Sequence, residues 1–259
     1  MYVIEFSIDN DVAHVVLNAP DKLNALDEAA IVELDAAYQA AERAGVRALV
    51  LSGEGRAFCA GRDISAVDPR ADDVLGYLGD LVTPLLKRMS RFPAPTFAAA
   101  HGACLGVGLG LLIATDVVYV ADTARIGSPF ANLGATLDSG GHALFVERLG
   151  AHRTLDLIYS GRLMSGAEAV AGGLFSQVFP CKELSEATVQ AATRAASGAT
   201  QAFLASKALV QTLRDERLGL WQSMSDETAA QAALCATGDY REGFAAFQEK
   251  RKPAFTGRA

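Results

Sequence analysis

Alternation of short apolar segments with amphipathic helices constrains the fold of this chain more than any other sequence feature. Val12–Leu17, Val46–Leu51 and Thr96–Ala100 have the length and composition of buried strands, and stretches with helical spacing lie between the later ones. Beyond about residue 200 the strand signals end and only helical patterns follow. This order predicts an α/β protein with an all-helical C-terminal region. We therefore divide the chain into a core, residues 1–198, and a helical region, residues 199–259.

Two predicted helices of the core carry recognisable boundary signals. Asp27 precedes an apolar stripe with helical spacing, so we expect it to cap that helix. A second amphipathic pattern covers Asp73–Arg91 and contains Pro84, which removes a backbone donor and can kink a helix.

Composition and charge exclude several classes of protein. The chain has 259 residues, a formal net charge of −7 and 51% hydrophobic residues, which excludes disorder as its dominant state. It has no basic block, so nucleic acid is a poor partner. The longest low-charge stretch, residues 98–115, is interrupted by His101 and glycines and predicts buried core, so we expect no membrane partner.

The N-terminus and the cysteines indicate the expected compartment. No basic segment followed by an apolar run opens the sequence, so no secretory signal is predicted. The four cysteines show neither CxxC nor a metal-ligand spacing with histidine. We therefore expect reduced thiols, no bound metal and a cytoplasmic protein.

Two glycine-bearing turns each follow a predicted buried strand. The first turn is Arg56–Ile64, in which the small residues Ala60 and Gly61 let the backbone approach a ligand. The second turn is His101–Leu111, where the free N–H groups at the start of an apolar helix favour negative charge. It is not a dinucleotide fingerprint, because Leu111 stands where the third glycine belongs. Close helix–strand packing alone also explains these glycines.

Asp138 is the candidate acid or base that lies ahead of another predicted helix. Aspartate is also a favoured helix N-cap, so the spacing alone leaves a cap and a catalyst open. We interpret His142, four residues further on, as a partly exposed histidine of the first helical turn. Ser139 lacks a nucleophile elbow and is expected to cap the helix, and Cys59 is expected to be a small buried side chain.

Five motifs, in order along the chain, resemble the crotonase superfamily of enoyl-CoA hydratases and isomerases. They are Pro20–Leu26, Ala57–Asp63, Gly102–Asp116, Gly134–Gly141 and Asp239–Arg251. The resemblance covers nearly the whole chain. It implies a spiral of ββα units with a C-terminal trimerisation region, and hence a homotrimer or a dimer of trimers. It also implies an acyl-CoA substrate, with coenzyme A as part of the substrate and no separate cofactor.

The resemblance gives the two turns a common purpose. In this family one backbone N–H from each turn binds the thioester oxygen, and these donors match Ala60 and Val107. Such donors stabilise an enolate more than the ground state, because negative charge develops on that oxygen. The resemblance also implies substrate contacts from Lys22, Leu23, Ala25, Gly61, Arg62, Asp63, Ile64, Gly106, Phe130, Leu133 and Lys250.

The chain departs from the two-glutamate pattern of the family's hydratases. The matching positions are Gly110 and Phe130, and neither side chain can accept a proton. Asp138 matches the single aspartate of the branch that the motifs resemble most, that of 1,2-epoxyphenylacetyl-CoA isomerase and Δ3,Δ2-enoyl-CoA isomerase. One carboxylate suits a proton shift between two carbons, so we predict an enoyl-CoA isomerase. Burial beside Phe130 and Leu133 is expected to raise the pKa of Asp138.

Two alternatives stay open at the level of the sequence. One is an enoyl-CoA hydratase or acyl-CoA hydrolase of the same fold, in which another residue assists Asp138. The other is an acyl-CoA-binding member of the family without catalysis. The sequence does not distinguish aliphatic from aromatic acyl groups.

Overall fold

Two β-sheets form the scaffold of the protein. The structure is a computed structural model that describes residues 3–68 and 70–257, without the side chains of residues 131 and 132. The strands are β1 (Ile4–Asp9), β2 (Val12–Leu17), β3 (Ala48–Gly53), β4 (Thr96–Ala100), β5 (Ala103–Leu105), β6 (Val117–Ala121), β7 (Arg125–Gly127), β8 (Met164–Ser165) and β9 (Gln177–Phe179). The larger sheet has the order β1-β2-β3-β4-β6-β9, in which only the β1–β2 pair is antiparallel. The smaller sheet has the order β5-β7-β8.

Helices connect the strands and then continue alone to the C-terminus. They are α1 (Glu28–Ala44), α2 (Thr83–Ser90), α3 (Val107–Ile113), α4 (Gly141–Ser160), α5 (Gly166–Ala171), α6 (Cys181–Ala196), α7 (Thr200–Glu216), α8 (Leu220–Leu234) and α9 (Gly238–Glu249). The predicted α/β class with a helical C-terminal region is confirmed. No helix within the described part of the chain combines the length and apolarity needed to cross a bilayer.

Both faces of the larger sheet are covered, which explains why its central strands are apolar throughout. All five residues of β4 are buried. Val50 and Phe97 face a small cluster with Ala192 of α6, while the main hydrophobic cluster lies on the other face. Parallel strands buried on two faces have no polar side to expose, so they lack the alternation of a half-exposed strand.

The predicted signals at Asp27 and Pro84 both correspond to local structure. The Asp27 carboxylate accepts the Ala30 N–H at 2.8 Å and caps α1, as predicted. Before Pro84 the expected helix widens into a π-helix, Gly76–Val82, and the Thr83 N–H donates to the Leu78 carbonyl five residues back. The change to five-residue spacing comes directly before the proline, which has no N–H to donate.

The chain end returns to the core. The Arg47 guanidinium donates to the carbonyl oxygens of Gly198 at 2.6 Å and Phe255 at 3.1 Å. The buried carboxylate of Asp239 accepts the N–H groups of Thr256 and Gly257, each at 2.8 Å. These bonds join the helical region to the sheet, and the division at residue 198 stays a prediction.

Asn24 fastens the Pro20–Leu26 loop to the first glycine turn. Its side chain is only 1% exposed. Its Oδ1 accepts the Ala19 N–H at 2.8 Å, and its Nδ2 donates to the carbonyl oxygens of Ala57 at 2.7 Å and Glu54 at 2.9 Å. The amide thus satisfies three backbone groups that would otherwise have no partner.

We expect Asn24→Ala to lower the free energy of unfolding by roughly 2–4 kcal/mol, because it leaves buried backbone groups unpaired. Denaturant unfolding followed by circular dichroism measures this change. Asp21→Asn, on the exposed part of the same loop, is the control and should change stability by less than about 0.5 kcal/mol. Equal stability of Asn24→Ala and the control would show that the loop is not held by this amide.

Candidate active site

Backbone pairing brings the two glycine turns together. The Cys59 N–H donates to the Ala103 carbonyl at 2.9 Å, and the Leu105 N–H donates to the Cys59 carbonyl at 3.0 Å. This adds the first turn to the edge of β5. A Cβ atom on Gly108 would lie 2.6 Å from the Cys59 oxygen, so only glycine fits there. The pairing of the two turns therefore requires both strand β5 and a glycine at position 108.

Gly61 and Gly106 contact each other where the turns meet. A Cβ atom on Gly61 would lie 3.7 Å from the Gly106 Cα and 2.9 Å from the Leu105 oxygen. Both glycines have positive φ, +100° and +52°, which disfavours any other residue. The peptide N–H groups that directly follow this contact belong to Arg62 and Val107.

The prediction that the Ala60 N–H binds the thioester oxygen is wrong. Its N–H donates to the Leu23 carbonyl at 2.9 Å, so it is not available to a ligand. Within the described residues, the N–H groups of Arg62 and Val107 have no acceptor. For Val107 the reason is its place at the first position of α3, where no preceding helical carbonyl exists. The neighbours of Arg62 pair instead with Leu26, whose N–H and carbonyl bond to Gly61 and Asp63.

Asp138 is a partly buried carboxylate with an unpaired oxygen. Its Oδ1 is shielded from solvent and has no hydrogen-bond partner, and no other carboxylate of the described residues is in this state. Burial raises the pKa of Asp138, while the nearby Ser139 hydroxyl and the charges of Arg62 and His142 oppose the shift. The Ser139 Oγ also lacks a partner of hydrogen-bond geometry.

The cap interpretation of Asp138 is excluded by the start of α4. The N-cap residue is Gly140, with φ of 90°, and among the described residues no side chain makes a capping hydrogen bond at this end of the helix. Asp138 takes part through its backbone carbonyl, which accepts the Gly141 N–H at 2.9 Å. The expectation that Ser139 caps this helix is wrong for the same reason.

Ser139 and Phe130 each pack against a glycine at the start of α3. A Cβ atom on Gly110 would lie 2.5 Å from the Ser139 Cβ, so Ser139 fills that side of α3. The Phe130 ring lies against the second turn, with its Cζ 2.9 Å from the place of a Gly106 Cβ. Leu133 is 61% exposed and adds little to the burial of Asp138, contrary to expectation.

The cationic candidates are mostly engaged by acidic neighbours. Lys22 is 60% exposed and pairs with Asp63 at 2.8 Å, which raises the pKa of the lysine and lowers that of Asp63 to about 2. The Arg62 guanidinium is bound by Asp72 and does not present itself to a phosphate. Lys250 is exposed at the C-terminal end of α9.

The remaining predicted contact residues differ in how close they lie to the turns. Leu23 receives the Ala60 N–H, and Ala25 lies half-buried in the same loop. Ile64 is 53% exposed just after the first turn. Sequence analysis missed Asp72 and Tyr77, which contact Arg62. Tyr77 lies within a segment that shows only the pattern of an amphipathic helix, and Asp72 directly precedes that segment.

The other histidines and cysteines of interest have structural or exposed positions. His142 is exposed, and its Nε2 lies 3.5 Å from the Thr136 hydroxyl. His101 bonds through Nε2 to the Gly55 carbonyl at 2.9 Å. Cys59 is fully buried, and burial raises the pKa of its thiol to about 12, so it is not a nucleophile at neutral pH.

Comparison with known proteins assigns the chain to a family. The family model for enoyl-CoA hydratase/isomerase matches residues 7–258. The chain belongs to the enoyl-CoA hydratase/isomerase family. It is 37% identical to a Rhizobium meliloti protein named probable enoyl-CoA hydratase, with 94% of each chain covered. It is 30% identical to the 1,2-epoxyphenylacetyl-CoA isomerase of Escherichia coli, with 97% of each covered.

A solved member of the enoyl-CoA hydratase/isomerase family has the same fold. The crystal structure of an enoyl-CoA hydratase from Bacillus anthracis matches with a TM-score of 0.89 and 27% identity, covering 99% of this chain and 100% of that chain. The relatives of the present chain thus include proteins named as hydratases and proteins named as isomerases.

We expect Gly110→Ala to destabilise the protein by about 1–3 kcal/mol, because the added methyl group overlaps Ser139. Ser139→Gly removes the overlapping atom and suits the φ of 52° at that position. In a double-mutant cycle measured by denaturant unfolding, the double variant should recover most of the loss. Additive effects of the two substitutions would contradict the contact.

Asp138→Asn should stabilise the protein at neutral pH. The raised pKa means that ionisation of Asp138 costs stability once the pH exceeds the ordinary aspartate value, and asparagine does not ionise. The gain in unfolding free energy should therefore be larger at about pH 7 than at about pH 4. Exposed Asp21→Asn serves as the control, and a gain that did not change with pH would show that burial of the charge is not its cause.

Proposed function

We propose that the protein is an enoyl-CoA isomerase that moves a carbon–carbon double bond with Asp138 as its single acid and base. The observation that carries this proposal is the buried, unpaired Oδ1 of Asp138. It is supported by Gly110 and Phe130, which stand where the resemblance expects the two glutamates of a hydratase, with Ser139 packed on Gly110. An unpaired carboxylate with a raised pKa is a stronger base than an exposed one.

The reaction needs one proton and returns it. Asp138 removes a proton from C2 of a 3-enoyl-CoA, and the electron pair moves into the thioester carbonyl to give a dienolate. The protonated carboxyl then delivers the same proton to C4, and the double bond forms between C2 and C3. The carboxylate is regenerated, so no second acid or base is required.

Two backbone amides stabilise the dienolate oxygen in this proposal. They are the N–H groups of Arg62 and Val107, which directly follow the contact between Gly61 and Gly106. A preorganised donor of this kind contributes about 3 kcal/mol to lowering a barrier. Since the donors belong to the backbone, the proposal places no demand on the side chains of Arg62 and Val107 at the oxyanion itself.

The substrate and assembly complete the proposal. We infer an acyl-CoA with its phosphates near Lys22, whose side chain is 60% exposed beside Asp63. We also infer a homotrimer or dimer of trimers that covers the apolar side chains of the helical region. Leu220, Trp221 and Phe247 are 68%, 77% and 85% exposed in the single chain. Faces of this kind are typical of subunit contacts.

Asp138→Asn tests the proposed function directly. With 3-enoyl-CoA as substrate, we expect kcat for formation of 2-enoyl-CoA to fall at least about a hundredfold, because the variant lacks the base. In the unsubstituted protein, kcat/KM should decline as the pH falls through a value above the ordinary pKa of aspartate.

The product and a surface variant provide the controls. Asp21→Asn removes an exposed carboxylate and should retain full activity. Chromatography of the acyl-CoA products separates the isomer from a 3-hydroxyacyl-CoA. Formation of the hydroxylated product from 2-enoyl-CoA would instead identify a hydratase, and binding without turnover would identify a non-catalytic member.

A further inference from the structure

Arg62 is held on one side of the site by an acidic partner. Its guanidinium donates to both carboxylate oxygens of Asp72, at 2.9 and 2.7 Å. The side chains of both residues are only 19% exposed. Charge-assisted, two-point pairs of this kind are the strongest and most directional hydrogen bonds of arginine. The pair therefore determines where the positive charge lies.

The guanidinium of Arg62 also stacks on the ring of Tyr77. The Arg62 Cζ lies 4.3 Å from the centre of the Tyr77 ring. Tyr77 is buried on the π-helical segment, and its hydroxyl donates to the Leu26 carbonyl at 2.9 Å. Arginine stacked on an aromatic face is attracted to the ring electrons. Asp72 and Tyr77 thus fix Arg62 from two directions.

The charge of Arg62 nevertheless acts on Asp138. This charge opposes the rise in the pKa of Asp138, and so does the charge of the exposed His142. Asp138 in turn raises the pKa of Tyr77. Yet Asp138 Oδ1 has no hydrogen-bond partner, and Arg62 donates to Asp72 instead. Arg62 follows Gly61, which contacts Gly106 at the start of α3, and Ser139, which follows Asp138, packs on Gly110 one turn further along α3. The two side chains therefore start from neighbouring parts of the site, and the guanidinium of Arg62 is bonded to Asp72.

We propose that Asp72 is a positioning residue that holds Arg62 away from Asp138 and so keeps the carboxylate free to act as a base. This inference rests on the proposed role of Asp138 in isomerisation. Without Asp72, a partly buried guanidinium would lack its partner, and the unpaired oxygen of Asp138 would be an acceptor for it. An arginine–carboxylate pair lowers the pKa of the carboxyl by about 1–3 units, which weakens the base.

Asp72→Asn tests the inference because it keeps the shape of the side chain and removes its charge. We expect the acid limb of the pH profile of kcat/KM, where activity declines with falling pH, to shift to a pH about one unit lower. We also expect the rate at neutral pH to fall about tenfold. Asp72→Glu should restore most of the activity. Asp80→Asn, an exposed aspartate of the same segment, removes an equal charge and should leave both quantities unchanged.

A second variant distinguishes repositioning from a loss of structure. Arg62→Gln removes the cation and retains the backbone amide, so in this background Asp72→Asn should have no further effect on the pH profile. Thermal unfolding of each variant verifies the fold. An acid limb that stays in place in Asp72→Asn, or a further shift in the double variant, would overturn the proposal.

A titration without substrate separates this inference from the proposed function. The signal of Asp138 in carbon-13-labelled protein, identified by its absence in Asp138→Asn, reports the pKa of the carboxyl directly. A lower pKa in Asp72→Asn than in the unsubstituted protein supports the role of Asp72 even if the enzyme does not isomerise 3-enoyl-CoA. An unchanged pKa contradicts it even if isomerisation is observed.

Discussion

The backbone pairing of Cys59 with Ala103 and Leu105 is the interaction on which the site depends. It joins two turns that are more than forty residues apart in the chain and fixes them at the edge of one small sheet. The cost of this close approach is that positions 61, 106 and 108 accept only glycine. The gain is a pair of backbone N–H groups that no protein acceptor uses within the described residues. Their unpaired state is tolerated only where a ligand or water satisfies them.

The partly buried carboxylate of Asp138 is the group on which the proposed chemistry depends. Ser139 packs on Gly110, and Phe130 packs on Gly106. Burial raises the pKa of Asp138 and so makes its ionised form less stable, and the proposed function uses this carboxylate as a base. The folded protein thus carries a cost in stability at the position where the proposed chemistry takes place.

Much of the fold could be predicted because local signals and burial agree. Strand β4 begins and ends at the predicted residues, and the cap at Asp27 forms as expected. Helix α6 begins at Cys181, directly after Pro180, whose φ of −55° suits the residue before a helix. Such boundaries depend on single dihedral angles that hydrophobic spacing does not report.

The site was less predictable because its geometry depends on contacts between distant segments. The direction of each amide in the first turn follows from the conformation of Gly61 and from the pairing with Leu23 and Leu26, so the choice of Ala60 as donor was wrong. Nothing in the local sequence indicates that Asp72, just ahead of a segment with the pattern of a helix, binds Arg62.

The most direct measurement of the central claim is the fate of deuterium placed at C2 of a 3-enoyl-CoA during turnover in ordinary water. A single carboxylate whose reacting oxygen is shielded from solvent carries the label from C2 to C4, so mass spectrometry and proton NMR should find deuterium at C4 of part of the 2-enoyl-CoA product. Product that contains no deuterium at C4, even in the first turnovers, would contradict transfer by one sheltered base.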